Sequence, residues 1–257
     1  MLPRDGLRSP RPMSASAVSD RPQRSVDEIW EGFARSRPEY YILTQEVSYS
    51  GTVDRDAFFA SGRRDVAAIL EEVGSDLRGT LCAVDIGCGV GRLAIPMAAH
   101  FSRVVAVDVS RTMLEHLVAN CRSQRLENVL PAHADDPWEE LGPADLVFSR
   151  IVFQHIESDD AIKAYARRIY LALASDGVAH LQFDTRPQTL IYRVHYRVPG
   201  AFLPRTSRRG LRRIRRSAGW LSSVFEAAGM SVVRELRPGT EDHVFVLRRA
   251  RFATAEE

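Results

Sequence analysis

Residues 80–110 read TLCAVDIGCGVGRLAIPMAAHFSRVVAVDVS, and their alternation decides the fold class. TLCAVDIG is a short buried-strand pattern, GRLAIPMAAHF a helical one, and RVVAVDVS a second strand. Downstream, RTMLEHLVANCRSQ predicts a helix, NVLPAHA and ADLVFSR two strands, DDAIKAYARRIYLALA a helix and GVAHLQFD a fifth strand. Strands alternating with helices predict a parallel sheet covered on both faces. The C-terminal part departs from that rhythm. SAGWLSSVFEAAG is a helix closed by Gly229, and MSVVRELRP and EDHVFVLRRA follow with only the Pro238–Gly239 turn between them. With no helix to cross over, those two runs should pair as an antiparallel hairpin at a sheet edge.

Upstream, SVDE places Glu28 three residues after Ser25, the spacing of a helix capping box. That helix should bury Ile29, Trp30 and Phe33 before Pro38 interrupts it. Tyr40, Tyr41, Phe58 and Phe59 add an aromatic helical segment, and RRDVAAILEEVGSDL (63–77) has apolar residues at helical spacing. The expected organisation is a disordered tail over 1–24, a helical lid segment over 25–62, an α/β domain over 63–250 and a short tail over 251–257. An insertion over 184–217 should cover the substrate.

Composition narrows the function classes. Net charge is only +2, which gives no global argument for a polyanionic partner. Lys163 is the only lysine among 35 basic residues, a bias no single binding site would impose on a whole surface. The seven arginines between Arg205 and Arg216 are therefore read first as a solvated face, with Leu211 and Ile214 docked inward by a helical turn. Cys82, Cys88 and Cys121 show neither a CxxC pair nor metal-like spacing with histidine, and the sparse set fits a reducing cytoplasm. No apolar run approaches the length of a membrane span, and residues 1–24 lack a signal-peptide core.

The glycine turn VDIGCGVGRL joins the first strand to its helix. Gly87, Gly89 and Gly91 allow a tight turn and close approach to a ligand, toward which the helix directs its N–H groups. Alone, such a turn fits dinucleotides, other adenosine cofactors or a merely tight loop. Two carboxylates narrow the choice. Asp108 ends the second strand, where an acid accepts from ribose hydroxyls. Asp85 precedes the first glycine, where it would suit a cationic tail better than a pyrophosphate.

This arrangement resembles the class I S-adenosylmethionine-dependent methyltransferases, small-molecule type, over roughly Gly62 to Leu247. The motifs that carry the resemblance are VDIGCGVGRL, VVAVDVS and ADLVFSRIVFQHI. It implies a doubly wound, Rossmann-like, mostly parallel sheet of seven strands whose last is antiparallel, preceded by N-terminal helices. It also implies S-adenosyl-L-methionine as cofactor. Asp85 and the glycine turn would hold the methionine portion and Asp108 the ribose. Ser110 and Met113 would lie near the adenine, Ser149 at the end of the fourth strand, and Asp135 would read the adenine amino group, with Asp136 as its substitute. No metal is implied.

Methyl transfer from a sulfonium needs alignment, a dry pocket and, for a hydroxyl acceptor, a proton acceptor. His155 in SRIVFQHI is the base candidate, against a structural or orienting role. The segment lacks the Asn/Asp-Pro-Pro-aromatic run of base-amine methyltransferases and the glutamate pair of protein-arginine enzymes. Tyr192, His195 and Tyr196 in the insertion, with Phe202 and arginines around them, could wall an anionic or sugar-like acceptor. The expectation is a cytoplasmic enzyme methylating a hydroxyl or amine of a small molecule. The alternatives are an RNA or protein methyltransferase docking through Arg205–Arg216, and a cofactor-binding protein without catalysis.

Overall fold

In a computed structural model of the protein, residues 26–36, 38–39, 54–198 and 213–250 are described. Ser25, Tyr40, Tyr41, Phe202 and Arg205–Arg212 lie outside them, as do both terminal tails. The strands are β1 (Cys82–Ile86), β2 (Arg103–Asp108), β3 (Val129–His133), β4 (Ala144–Ser149), β5 (Leu173–Phe183), β6 (Met230–Leu236) and β7 (His243–Arg249). They form one sheet in the order β3-β2-β1-β4-β5-β7-β6, with β7 antiparallel to both of its neighbours. The hairpin expected at a sheet edge is there. β6 is the outer strand and carries a register shift between Val232 and Arg234, and β3 forms the opposite rim.

Alternate residues of each central strand serve opposite layers. Val84, Val105, Val147, Leu181 and Phe245 face α5 (Asp159–Ala172) and α7 (Ala218–Ala227), meeting Ile162, Ile169, Leu221 and Phe225. Ala83, Val104, Leu146, Val178 and Val246 face α2 (Arg55–Val73), α3 (Ala94–Met97) and α4 (Arg111–Ser123) through Val66, Ile69, Met97 and Leu117. Burying side chains of this size stabilises the fold by about 1.5–3 kcal/mol each.

Several boundaries differ from the sequence expectation. The helix read from Arg63 begins at Arg55, because Asp54 caps it by accepting from the N–H groups of Asp56 and Ala57. The divide at 62/63 therefore falls inside one helix, where Gly62 packs against the Arg92 carbonyl. The helix after the glycine turn is a single turn, α3, flanked by further turns. The helix read to Ala174 ends at Ala172, and β5 starts at Leu173 without a loop.

α1 (Val26–Ser36) lies over the start of α4. Its Ala34 is buried with Phe58, Val90 and Met113, while Trp30 and Phe33 are only half-buried. Among the described residues no helix is long and apolar enough to cross a membrane.

Candidate functional site

The connections after β1 and β4 run to opposite sides, toward β2 and β5, which opens a crevice at the strands' carboxyl ends. A cavity of about 250 Å³ occupies it. Gly87, Gly89, Asp108, Met113 and His155 all lie on its wall, together with Trp30, Arg150 and Ile151. The glycine turn approaches closely because Gly87 (φ 75°) and Gly89 (φ 53°) sit in the left-handed region. A Cβ on Gly87 would come within 2.4 Å of Val152 Cγ2.

Asp108 organises the turn. Its Oδ2 accepts from the Gly89 N–H at 2.8 Å and its Oδ1 from the Ser110 N–H at 2.9 Å. Each oxygen retains a lone pair for a hydroxyl in the cavity. Burial pushes its pKa up, against the pull of those hydrogen bonds. Asp85 lies beneath the turn, off the cavity wall and 2 % exposed. Burial drives its pKa to about 8, opposed by the Arg92 cation and reinforced by Asp108. Its Oδ2 has no hydrogen-bond partner within the protein.

The remaining expected residues are placed differently. Gly91 (φ 93°) stands behind the turn, where a Cβ would meet Leu117 Cδ1 at 2.5 Å. Ser110 is the N-cap of α4, accepting from the Met113 N–H, and lies off the cavity. Ser149 is buried and donates to the Ile86 carbonyl at 3.0 Å, tying β4 to β1. The Asp135 side chain is 84 % exposed and contacts His133, while Asp136 accepts from the His133 N–H, so Ala134 forms the wall there. Tyr192 and Tyr196, stacked at 5.9 Å, line a second cavity that shares Glu157 with the first. His195 belongs to α6 (Leu190–Arg197), but its side chain is outside the described set.

Three wall-forming devices escaped the sequence reading. Trp30 meets His155 edge-on at 5.8 Å. Glu31, beside it, accepts from Ser110 Oγ (2.7 Å) and Thr112 Oγ1, fastening α1 to the N-terminus of α4. Hydrogen bonds from Thr112 and then Ser110 hold its pKa down at about 2. Arg150 follows β4, and its Nε lies 3.4 Å from Asp65 Oδ2, an ion pair without hydrogen-bond geometry. The same Asp65 oxygen accepts from buried Arg92 at 2.6 Å. Only position predicts Arg150, directly after a strand that ends in the crevice. The Glu31 contact spans about 80 residues and leaves no local signature.

The arginine run is also corrected. Its described part is not helical, since Arg215 forms a β-bridge with Asp184. Arg213 pairs with Glu241 at 2.6 Å, and Arg215 stacks over the Tyr192 ring at 4.5 Å. Arg216 is 6 % exposed, pairs with Asp159, and donates to the carbonyls of Phe153, Ile156 and Glu157. These three arginines are fastened to the protein rather than solvated. The cost of burying Arg216 is offset by satisfying several donors at once.

Among the described residues no group of three His, Cys, Asp or Glu side chains is arranged to hold a metal.

Comparison with known proteins agrees with this geometry. Residues 83–177 match a family model described as a methyltransferase domain. A curated relative, the 23S rRNA (uracil(1939)-C(5))-methyltransferase RlmD of Legionella pneumophila (strain Lens), is 33 % identical over 79 residues. That stretch is 30 % of this chain and only 18 % of the relative's length. Among solved structures, the magnesium protoporphyrin IX methyltransferase ChlM from Synechocystis PCC 6803, with bound SAH, aligns at TM-score 0.59 and 21 % identity. The alignment covers 88 % of this chain and 98 % of that one. An S-adenosylmethionine-dependent methyltransferase from Clostridium acetobutylicum ATCC 824 aligns at TM-score 0.60 and 14 % identity, covering 87 % and 100 %. Residues 83–177 are thus similar to a methyltransferase domain, and the fold of the chain is that of the class I S-adenosylmethionine-dependent methyltransferases.

Proposed function

We propose that the protein is an S-adenosylmethionine-dependent methyltransferase acting on a hydroxyl or amine of a small molecule. The observation that carries this is the juxtaposition, on one cavity, of the left-handed glycine turn, the Asp108 carboxylate and His155. The residues present fit the cofactor. Asp85 Oδ2 is a buried carboxyl oxygen beneath the turn without a hydrogen-bond partner, which an ammonium brought near it would draw into the carboxylate form, and Arg150 is a cation on the wall, suited to a carboxylate. Asp108 would accept from the ribose hydroxyls, while Met113 and Val109 supply apolar wall. Bound there, S-adenosylmethionine would supply a methyl group activated by a sulfonium.

The chain's own contribution is positioning and proton handling. Trp30 on α1 covers the cavity beside His155 and helps exclude water. His155 is the group placed to take the proton that an acceptor hydroxyl sheds. Tyr192 and Tyr196, with Arg193 and Arg215 in the adjoining cavity of about 630 Å³, would receive the rest of the acceptor. Their aromatic and cationic character favours an anionic or sugar-like molecule. The solved neighbour named for magnesium protoporphyrin IX is in keeping with a small-molecule acceptor.

The name of the curated relative favours a second reading, RNA methylation. It would have to use Arg205, Arg208, Arg209 and Arg212, because Arg213, Arg215 and Arg216 are engaged within the protein. Calorimetry with S-adenosylmethionine and S-adenosylhomocysteine tests the cofactor reading, and binding of neither would sink it. Tritiated-methyl transfer into fractionated extract tests the acceptor. Label in the low-molecular-weight fraction is expected, whereas label only in RNA, lost steeply with salt, would establish the second reading.

A further inference from the structure

Ile151 is the second residue after β4 and forms part of the cavity wall. Its φ is 61°, and a left-handed backbone at a β-branched residue is an outlier that surrounding structure must impose. The Ile151 N–H donates to Gln182 Oε1 at 2.9 Å. Gln182, on β5, is 3 % exposed. Its amide nitrogen donates to Asp242 Oδ1 at 2.7 Å and to the Glu241 carbonyl at 3.1 Å. Those two acceptors fix which end of the amide is which. A flipped amide would set its NH₂ group against the Ile151 N–H and its oxygen against a carboxylate.

The consequences run both ways along the chain. On one side Val152 packs its methyls over Gly87, leaving no room for a Cβ there, so the backbone at Ile151 sets how closely this wall meets the glycine turn. Arg150 precedes it and reaches Asp65. On the other side, the β6–β7 turn that anchors Gln182 also receives the insertion. Glu241 pairs with Arg186 at 2.9 Å and with Arg213 at 2.6 Å, and Arg186 pairs with Asp184. The Thr185 N–H donates to the Thr240 carbonyl at 3.0 Å. One short turn thus holds both the acceptor-side insertion and the amide that holds the cofactor wall.

We propose that Gln182, clamped by the 240–242 turn, is a positioning residue that keeps Ile151 left-handed and so sets the cavity wall facing the glycine turn. The C-terminal hairpin is then part of the site's scaffold and links the insertion to it. The proposal rests on reading the crevice as the cofactor site.

A double-mutant cycle tests it, because glycine adopts a left-handed backbone without help. S-adenosylhomocysteine affinity is measured by calorimetry for wild type, Gln182→Leu, Ile151→Gly and the pair. Gln182→Leu is expected to weaken binding roughly tenfold in the native background and by less than about twofold in the Ile151→Gly background. Equal losses in both backgrounds would mean that Gln182 acts through packing alone, and no loss in either would mean that it sets nothing. Either result overturns the proposal. If wild type binds no S-adenosylhomocysteine, the cofactor reading fails, and amide hydrogen exchange still decides the clamp. The Ile151 amide should then exchange at least about tenfold faster in Gln182→Leu than in wild type, and equal protection would overturn it. Should Gln182→Leu not fold, Asp242→Ala unfastens the same amide and must show the same background dependence.

Discussion

The two halves of the sheet are built in different ways. β1 and β2 present backbone N–H groups, glycines and two buried carboxylates, with apolar residues everywhere else. β5, β6 and β7 present a network of buried or half-buried polar side chains. His180 pairs with Glu72, Gln182 with Asp242, Asp184 with Arg186, and His243 with Thr185 and Glu235. The first half leaves a buried carboxyl oxygen, Asp85 Oδ2, without a hydrogen-bond partner. The second half closes most of its charges on each other and so holds shape. Buried polar groups that are mutually satisfied specify geometry, whereas one left open marks a place for something else.

Four substitutions can break or sharpen that contrast. Asp108→Ala removes the acceptor for two backbone N–H groups and, on the proposed reading, for the ribose, so S-adenosylhomocysteine affinity should fall about 100-fold by calorimetry. A loss of threefold or less would detach Asp108 from the site. Beside the second half, Arg216→Met removes the guanidinium donor from the Ile156 and Glu157 carbonyls and one of two donors from the Phe153 carbonyl. It should lower unfolding free energy by about 2–3 kcal/mol in urea titration while cofactor affinity changes little.

Asp85→Asn should do the reverse. The folded-state pKa of about 8 lies above the ordinary 3.8, so the folded protein holds a proton that the unfolded chain releases between those values. Stability therefore declines as pH rises from about 4 to about 8. The amide abolishes that decline and should raise the melting temperature at pH 8 by roughly 5 °C, at the expense of cofactor affinity. A melting temperature that tracks wild type from pH 5 to 8 would show that Asp85 does not carry the slope.

The smallest effect is expected at the lid. Glu31→Ala should weaken cofactor binding about fivefold and lower the melting temperature modestly at neutral pH, since Glu31 ties α1 to the start of α4. Glu31 has its pKa depressed to about 2 in the fold, so its contribution is complete above about pH 4.5 and fades as pH falls toward 2. Wild type and Glu31→Ala should consequently converge in stability only in strong acid, a comparison that melting curves between pH 2 and 6 will make.

What was legible in the sequence follows the same division. The alternation of β1 to β5 and the turn VDIGCGVGRL are local, so the chain order of the parallel strands, the crevice and the position of Gly87, Gly89 and Asp108 on its wall could be read directly. The hairpin and the reversed β7 followed from the missing crossover helix. Glu31, Arg150, Gln182 and Arg216 could not be read in that way, because each acts on a partner distant in sequence. The arginine run misled for a related reason. A composition dominated by arginine makes a solvated face the natural reading, yet Arg213, Arg215 and Arg216 face acids and carbonyls brought near only by the fold. Asp135, expected as an exposed carboxylate, is one, while its neighbour Ala134 lines the cavity wall.

The sheet's two rims also bear on how copies of this protein can meet. An open rim offers unpaired N–H and C=O groups to any passing strand. β3 places Pro131 in its middle, where the donor is absent, and β6 combines its register shift with the charges of Arg234 and Glu235. Both devices oppose continuous strand-on-strand addition. Sheet extension is therefore disfavoured at both rims as a route to self-association.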